Sequence, residues 1–283
     1  MIEILERQSG QVLLSLDAHS LERMDLRDCS LRGADLHGAN LKNAQLDSCN
    51  LVEADLSGAD MSGCVCHGTH LNHANLEGAN LTATRFGSDS QKTGTMLTGA
   101  NLRNAILVRA DLRHVDLRQV NLTGADMSMA DARDANFQGS CLRGIRANHA
   151  LFIKANLQDC NLSEADLRSA HLNDANLIKA ILNAANLESP PSGLTVLNLA
   201  NLDGASLRGA RMSGVQAQDV NFRHADLTDV DFTGAVLGGS ILRSANVNNA
   251  NFKGVELSTV TMDFSNFSKA LNADIPPFKT NLR

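Results

Sequence analysis

The chain has 283 residues, a formal net charge of −6, and neither tryptophan nor tyrosine. The acidic balance argues against direct binding to nucleic acid, because phosphates repel a negatively charged surface. The first residues lack the basic region and long apolar core of a signal peptide, and no apolar run is long enough to span a bilayer. We therefore expect no membrane contact and take the cytoplasm as the location.

The amino-terminal segment predicts a β-hairpin. Residues 2–6 and 11–16 are rich in isoleucine, valine and leucine, and they flank Gln8, Ser9 and Gly10. Two such runs on either side of a turn-forming segment are typical of paired antiparallel strands. We assign residues 1–15 to this hairpin.

From residue 16 the sequence repeats every five residues. The central position is leucine or a substitute for it, and the residue two places before is usually alanine, as in Ala34-Asp35-Leu36. The period runs over residues 16–86 and resumes one residue out of phase over residues 97–267. Five residues match neither an α-helix nor a flat strand, so the chain must turn a corner once in each unit.

The repeat also predicts which side chains face inward. Alternate residues of an extended segment point to opposite sides, so Ala34 and Leu36 share one face and Asp35 lies on the other. A small residue beside a large one fills a narrow tube, and each coil buries its apolar face only against its neighbours. We therefore expect an all-β solenoid with a thin, continuous core over residues 16–270, in which Phe232 and Phe252 stack in adjacent coils.

These tandem A(D/N)LXX units resemble those of the pentapeptide-repeat proteins, and the resemblance extends over about residues 16–270. The resemblance implies a right-handed quadrilateral parallel β-helix with one unit per side, four units per coil and about 12–13 coils. Both the central residue and the residue two before it would point inward. Some family members act on topoisomerases and use projecting loops for that contact.

The five-residue repeat is bounded or interrupted at four places. The hairpin is expected to cap the first coil, because an open solenoid end exposes apolar core and unpaired backbone groups. Residues 87–94 are small and polar, which predicts a loop bulging from one corner. Residues 189–193 keep the phase, but their prolines cannot supply normal backbone pairing. Residues 271–283 form a short tail.

Each internal interruption is either a tolerated insertion or an edge that a partner recognises. Only the second alternative gives the segments a function. The candidate partner-binding residues are then Ser88, Asp89, Ser90, Gln91, Lys92, Pro190 and Pro191. At the carboxyl end, an uncapped last coil carrying Phe264, Phe267 and Phe278 would offer an end-to-end contact for a homodimer.

Cysteine and histidine residues suggest a metal site that the repeat phase argues against. The densest group of potential ligands is Cys64, Cys66, His67, His70 and His73. Tetrahedral zinc needs its ligands on one side. The phase places both cysteines in the core and the three histidines outside, so we expect no metal and no cofactor.

The sequence also contains a second cysteine pair and no recognised catalytic motif. Cys29 and Cys49 lie one coil apart, either as reduced core thiols or as a disulfide, and the cytoplasm favours the thiols. We find no phosphate-binding loop, nucleophile elbow or metalloprotease motif, and we expect no enzyme activity.

Charge is the remaining functional signal. Residues 1–142 carry 18 acidic and 12 basic side chains, whereas residues 143–283 carry 13 of each. Acidic rows on a rod can imitate DNA, and the resemblance implies that role for members that protect DNA gyrase from quinolones or peptide toxins. Asp35, Asp55 and Asp111 are the candidate acidic face.

Arginines just after the central positions, such as Arg27 and Arg113, interrupt these acidic rows, unlike a phosphate array. We therefore expect, first, a non-enzymatic protein-interaction scaffold whose partner is unknown. The alternative is a DNA-mimicking protector or modulator of DNA gyrase or topoisomerase.

Overall fold

The computed structural model describes residues 1–88 and 94–279. It divides into two compact units, Met1–Cys141 and Leu142–Arg283, called here the first and the second unit. Regular elements are short: the described residues contain two β-strands and two 3₁₀ helices, and most other pairing consists of single bridges.

The first unit begins with an antiparallel hairpin. Strand β1 (Ile2–Leu5) pairs with strand β2 (Val12–Leu16). The carbonyl oxygen of Leu5 accepts the N–H of Asp35 at 2.8 Å, so β1 also pairs with one side of the first coil. The hairpin thereby satisfies backbone groups that this side would otherwise leave unpaired.

Beyond the hairpin, the backbone pairs in parallel with the coil that follows. Partners are twenty residues apart, as for Asp55 and Asn75. Four bridges occur in each coil, so five residues form each side of a four-sided tube. In one coil these bridges are Ser30–Asn50, Asp35–Asp55, Asn40–Asp60 and Gln45–Val65.

A left-handed residue turns the chain at the end of each regular side. It follows the central residue by two places, as at Asn43 (φ 59°) and Gly63 (φ 69°). At Gly63 an added β-carbon would also lie 2.3 Å from Oδ1 of Asn43. Glycine and asparagine tolerate this backbone conformation better than most residues, which explains their frequency at the corners.

The core consists of the two inward positions. Ala34 and Leu36 are 0% and 3% exposed, whereas Asp35 between them is exposed. In the second unit, the rings of Phe232 and Phe252 stack with centroids 5.3 Å apart, which confirms the expected ladder. Side chains of adjacent coils therefore fill each tube continuously.

The outward Asp or Asn of the repeat has a backbone role. Oδ1 of Asp55 accepts the N–H of Ser57 at 3.1 Å, and Nδ2 of Asn75 donates to Oδ1 of Asp55 at 3.1 Å. Asn101 extends the same column by donating to Asn75 at 3.0 Å. A short polar side chain at this position thus satisfies its own turn and links adjacent coils.

The carboxyl end of the second unit is more closed than we expected. After the 3₁₀ helix Phe267–Lys269, the chain folds back through Pro277–Lys279. Nζ of Lys279 donates to the carbonyl oxygens of Leu257 and Val260 at 3.1 and 2.6 Å. The expectation of an uncapped last coil is therefore wrong, because a side-chain ammonium group occupies carbonyl groups there.

Of the phenylalanines expected at that end, Phe264 and Phe267 do not form one exposed surface, and the side chain of Phe278 lies outside the described part of the structure. Phe267 is 7% exposed and packs on Phe252 at 5.1 Å. Phe264 is 64% exposed, with the guanidinium of Arg243 lying 5.3 Å from its ring centre. The contact with Arg243 therefore leaves most of the Phe264 side chain in solvent.

Each unit contains one insertion. In the first unit, Asn101 bonds to Asn75 across 26 residues, six more than in a regular coil. In the second unit the spacing becomes 25 residues, as between Arg208 and Asn183. The regular spacing is interrupted after Phe86 and after Leu187, and bridge partners are again twenty residues apart beyond each insertion.

Candidate interaction surfaces

The first insertion leaves the tube through a glycine that packs against the next coil. The N–H groups of Phe86 and Gly87 both donate to the carbonyl oxygen of Asp111 at 2.9 Å. A β-carbon on Gly87 would lie 2.2 Å from Oδ1 of Asp111, so only glycine fits without movement. The N–H of Ser88 donates to the carbonyl oxygen of Arg113 at 3.2 Å.

The chain re-enters the tube at Thr95, which is fully buried. Its hydroxyl lies 2.8 Å from the carbonyl oxygen of Phe86 and 2.5 Å from that of Cys66, which ties the two ends of the insertion together. Of the predicted loop residues, Ser88 is described. Asp89, Ser90, Gln91 and Lys92 lie outside the described residues.

A cleft of about 580 Å³ lies beside this insertion. Nδ1 of His67 lies 2.9 Å from Oδ1 of Asp47, and Nδ1 of His114 is buried without a hydrogen-bond partner. His114 was not predicted as a site residue, because it occupies a corner position at which the residue type varies. The lining residues are Asp47, Ser48, His67, Gly68, His70, Ser88, Gly94, Thr95, Met96, His114 and Asp116.

The carboxylate of Asp116 at this cleft is already engaged. Arg118 donates to it from Nε at 2.8 Å and from Nη2 at 2.6 Å. Burial raises the pKa of Asp116, but the hydrogen bonds from Arg118 outweigh burial and leave this pKa below its ordinary value. The imidazoles, rather than this carboxylate, are the groups that the cleft offers to a ligand.

The second insertion is closed by a turn and a threonine. The N–H of Gly193 donates to the carbonyl oxygen of Pro190 at 3.1 Å. Thr195, fully buried, donates its hydroxyl to the carbonyl oxygen of Glu188 at 3.0 Å and accepts the N–H of Ser169 at 2.8 Å. Pro191 is exposed at the tip, whereas Pro190 is half-buried.

Two leucines near this insertion are exposed, which the repeat pattern did not predict. Leu194 is 54% exposed and Leu199 is 59% exposed. Leu199 stands at a corner position with φ 63°. The only sequence signal is a large apolar residue at a place where the repeat usually has a small or polar one.

The candidate acidic residues do not share one face. Asp35 bridges Asp55 in one ladder, whereas Asp111 bridges Arg85 and Asp131 in another. The expectation of a single acidic face is therefore wrong, because Asp111 lies on a different side of the tube from Asp35 and Asp55.

The three carboxylates also differ in their surroundings. Asp35 is exposed, but Asp55 is 9% exposed and lies 3.4 Å from Nη1 of Arg7. Asp111 accepts Nε and Nη2 of Arg113 at 2.9 and 2.8 Å. Two of the three carboxylates thus have a cation beside them.

Such Asp–Arg forks recur wherever the repeat reads Asp-Leu-Arg or Asp-Ala-Arg. The arginine lies two residues after the aspartate on the same side of the coil and binds it with two nitrogens, as in other bidentate pairs. Each fork neutralises a carboxylate locally. The forks are Asp25–Arg27, Asp111–Arg113, Asp116–Arg118, Asp131–Arg133 and Asp166–Arg168.

The cysteine and histidine cluster is divided by the wall of the tube. Cys64 and Cys66 are fully buried, and burial raises the pKa of Cys64 to about 12. His67, His70 and His73 are exposed. Among the described residues, no group of three His, Cys, Asp or Glu side chains is placed to hold a metal ion.

Two further observations concern the cysteine pair and membrane-spanning helices. Cys29 and Cys49 are free thiols, and Sγ of Cys49 lies 3.3 Å from the carbonyl oxygen of Cys29. Within residues 1–88 and 94–279, no helix has the length and hydropathy needed to cross a membrane.

The sequence profile described as Pentapeptide repeats matches the chain in eight copies. The chain belongs to the pentapeptide-repeat family. Its fold is that of this family, a right-handed quadrilateral β-helix, as the resemblance implied. The matches cover residues 20–51, 49–87, 96–131, 110–146, 130–168, 150–188 and 195–234.

Several solved structures are similar to this pentapeptide-repeat protein. HetL, involved in heterocyst differentiation regulation in the cyanobacterium Nostoc sp. strain PCC 7120, is 24% identical, covers 88% of this chain and 87% of its own, and has a TM-score of 0.25. Full-length QnrB1, a plasmid-mediated fluoroquinolone resistance protein, is 20% identical over 87% of this chain and 93% of its own, with a TM-score of 0.24.

A pentapeptide repeat protein from the Arabidopsis thaliana thylakoid lumen is 27% identical over 42% of this chain and 66% of its own, with a TM-score of 0.27. No curated protein matches the chain. The family assignment rests on the repeat match.

Proposed function

We propose that the protein is a non-enzymatic scaffold that binds a partner protein where its regular faces are interrupted. The observation that carries this proposal is the use of outward polar groups by the fold itself. Asp55 bonds to Ser57 and Asn75, and Asp111 is held by Arg113. An enzyme needs convergent polar groups that are free to act on a substrate, whereas these groups are committed to turns, coils and forks.

The interruptions supply the features that the regular faces lack. Beside the first insertion, Nδ1 of His114 is buried without a partner, and a buried unpaired polar atom costs about 1–3 kcal/mol until something bonds to it. Beside the second, Leu194 and Leu199 present apolar surface to solvent. Both features favour contact with another molecule.

The test is capture of partners from a lysate of the source organism. Immobilised wild-type protein is compared with a variant that lacks residues 88–93 and 190–194, and bound proteins are quantified by mass spectrometry. These deletions remove the extra six and five residues, which restores the regular coil spacing. We expect at least one protein to be depleted about tenfold on the variant. Equal capture by both proteins would contradict the proposal.

The second candidate function is protection or modulation of DNA gyrase or another topoisomerase by DNA mimicry. The observation that favours it is the acidic excess of residues 1–142. The Asp–Arg forks count against it, because four of the five lie in the first unit and interrupt the acidic rows.

A gyrase supercoiling assay with a quinolone inhibitor tests the mimic. Relief of inhibition by the wild-type protein, abolished by Asp35→Lys together with Asp55→Lys, would establish it. Under the scaffold proposal, supercoiling stays inhibited at every protein concentration. Nucleic acid itself is expected to remain unbound, because the net charge is negative.

Location and assembly belong to the same proposal. We place the protein in the cytoplasm, where the free thiols of Cys29 and Cys49 would remain reduced. A homodimer through the carboxyl end would rest on Phe264, the exposed ring described there. Sedimentation velocity of Phe264→Ser beside the wild type tests this contact.

A further inference from the structure

A leucine stands in a strained corner of the second unit. Leu199 has φ 63°, a left-handed conformation that L side chains resist because the β-carbon crowds the following carbonyl oxygen. Other left-handed corners of this unit carry glycine, as at Gly204, or a polar residue, as at Asp174. Leu199 is 59% exposed, so burial offsets little of this strain. Leu199 therefore exposes a large apolar side chain at a left-handed corner, where it does little for the fold.

Leu199 has an apolar neighbour on the same side of the coil. Leu194 enters that side from the second insertion and is 54% exposed, and the half-buried Val196 lies between the two leucines in sequence. Val196 bridges His171 and Gln216 in the regular ladder, which fixes the side in place. The side therefore presents one exposed leucine near its beginning and another at its end.

Carboxylates flank Leu199 in the neighbouring coils. The N–H of Asp174 donates to the carbonyl oxygen of Asn198 at 3.0 Å, and the N–H of Leu199 donates to that of Gln218 at 2.9 Å. Asp174 and Asp219 thus occupy the same corner, one coil before and one coil after Leu199, and both are exposed.

Within the described residues, neither of these carboxylates forms an ion pair with an arginine or lysine. Arg168 pairs with Asp166 and Arg211 pairs with Glu188. Lys154 stands at the same corner one coil before Asp174, on the side of Asp174 that faces away from Leu199. An apolar side chain between two exposed carboxylates is complementary to an apolar residue flanked by cations.

We propose that Leu194, Leu199, Asp174 and Asp219 form a docking surface for a basic amphipathic segment of a partner protein. Apolar side chains of that segment cover the two leucines, and its lysine or arginine side chains pair with the carboxylates. This inference rests on the proposed scaffold function and names the surface and the partner chemistry. A second copy fits poorly, because a two-fold axis at Leu199 would bring Asp174 against Asp219.

The probe is a phage-displayed library of random peptides. It is selected on the wild-type protein and depleted on the Leu199→Gly variant, which folds readily because glycine favours this corner. We expect enriched peptides to combine leucine, phenylalanine or tryptophan with lysine or arginine. In fluorescence anisotropy they should bind Leu199→Gly about tenfold more weakly, the loss expected for one buried leucine.

Matched variants separate the apolar and the charged contributions. Asp174→Asn with Asp219→Asn should weaken binding roughly two- to fivefold at low salt and reduce its salt dependence. Met129→Gly is the control, since Met129 is 49% exposed at a corner of the first unit with φ 60°, and its affinity should match the wild type.

The inference is overturned if no peptide distinguishes wild type from Leu199→Gly, or if the enriched peptides lack basic residues. A wild-type dimer that Leu199→Gly dissociates in sedimentation velocity would also overturn it, in favour of a second copy. Partner capture that depends on residues 88–93 but not on Leu199 would leave the scaffold function standing and remove this surface alone.

Discussion

The two insertions differ in length by one residue. This difference determines whether the phase of the repeat reveals each insertion. The first adds six residues to a coil and the second adds five. One side of the tube is five residues long, so the second insertion leaves the period unchanged although a whole side is looped out. The phase of a repeat therefore detects an insertion only when its length is not a multiple of the unit.

The two insertions nevertheless close in a similar way. Each returns to the tube through a buried threonine at the small inward position, Thr95 in the first and Thr195 in the second. Each hydroxyl lies within hydrogen-bond distance of a carbonyl oxygen at the exit of its own loop, that of Phe86 or of Glu188. This similarity predicts that the core is equally intact at both insertions.

The largest effect should come from removing the core residue in front of each insertion. Phe86→Ala should cost about 3–5 kcal/mol and Leu187→Ala about 2–5 kcal/mol, because both side chains are fully buried and leave cavities. Urea denaturation measures both. Leu167→Ala, in an uninterrupted coil, is the reference and should also cost about 2–5 kcal/mol.

A loss much smaller than the reference at one insertion would break the comparison. It would mean that the tube is frayed where that loop leaves it, so that the cavity collapses or fills with water. Equal losses at Leu187 and Leu167 would show that the looped-out side leaves the neighbouring coils packed.

The threonines should have the next largest effect, and they should differ. Thr195→Val leaves both the N–H of Ser169 and the carbonyl oxygen of Glu188 without their described partner. Thr95→Val removes the hydroxyl donor from the carbonyl oxygen of Phe86. The carbonyl oxygen of Cys66 still accepts a hydrogen bond from the N–H of Thr69. We expect both to cost about 1–3 kcal/mol, with Thr195→Val the larger, because an orphaned buried N–H is rarely tolerated.

Thermal and urea unfolding of both variants measure this difference. Thr84→Val, at the same inward position of a regular side, is the control, since its hydroxyl donates only to the carbonyl oxygen of Met61 at 2.8 Å. A smaller loss for Thr195→Val than for Thr84→Val would show that the second loop does not depend on this closure.

The sequence predicted the regular part of the molecule because each inward position repeats a single packing problem. Leu167 and the Phe232–Phe252 stack follow directly from the period. The face on which Asp111 lies does not, because face assignment depends on how many sides an insertion consumes. The closure by Lys279 was also hidden, since it requires the tail to fold back onto carbonyl groups distant in sequence.

The candidate surfaces were only partly predictable, for a related reason. The sequence located both insertions through a broken phase and two prolines, but outward and corner positions vary without a rule. His114 therefore carried no signal until its burial was known, and Leu199 showed only a large apolar residue at a position that is usually small or polar. The Asp–Arg forks were visible as arginines that interrupt acidic rows, although their bidentate geometry was not.

Shortening the insertions should have a smaller effect than either set of point substitutions. Deleting residues 88–93 leaves Gly94 at the corner, and deleting residues 190–194 leaves Ser189 there, residue types found at other left-handed corners. Loop length affects closure entropy only weakly, so each deletion should change the unfolding free energy by less than about 1 kcal/mol.

Deleting only residues 89–93 is the matched control for the first loop, because it leaves one extra residue in the coil. The melting temperatures of the two first-loop deletions, measured by circular dichroism, should differ if one extra residue disturbs the pairing of the coil. A large loss of stability on deleting residues 190–194 would show that the second loop supports the fold.

The smallest effect should come from the acid dependence of the forks beside the two insertions. Burial raises the pKa of Asp111 and of Asp166, but hydrogen bonds from Arg113 and Arg168 outweigh it, and both pKa values lie below the ordinary carboxyl value. A lowered pKa in the folded state contributes stability above the unfolded pKa of about 3.9, and this stability is lost as pH falls through the folded value.

Asp166→Asn and Asp111→Asn should each cost about 0.2–1 kcal/mol at neutral pH and flatten the acid side of the stability curve. The loss should be smaller for Asp111→Asn, because Nε of Arg113 also lies 3.8 Å from Oδ2 of Asp131, which can take over the pairing. Urea denaturation between neutral pH and about pH 2 tests this order. The reverse order would mean that the packing of Gly87 against the Asp111 carboxylate, rather than the fork, secures the first insertion.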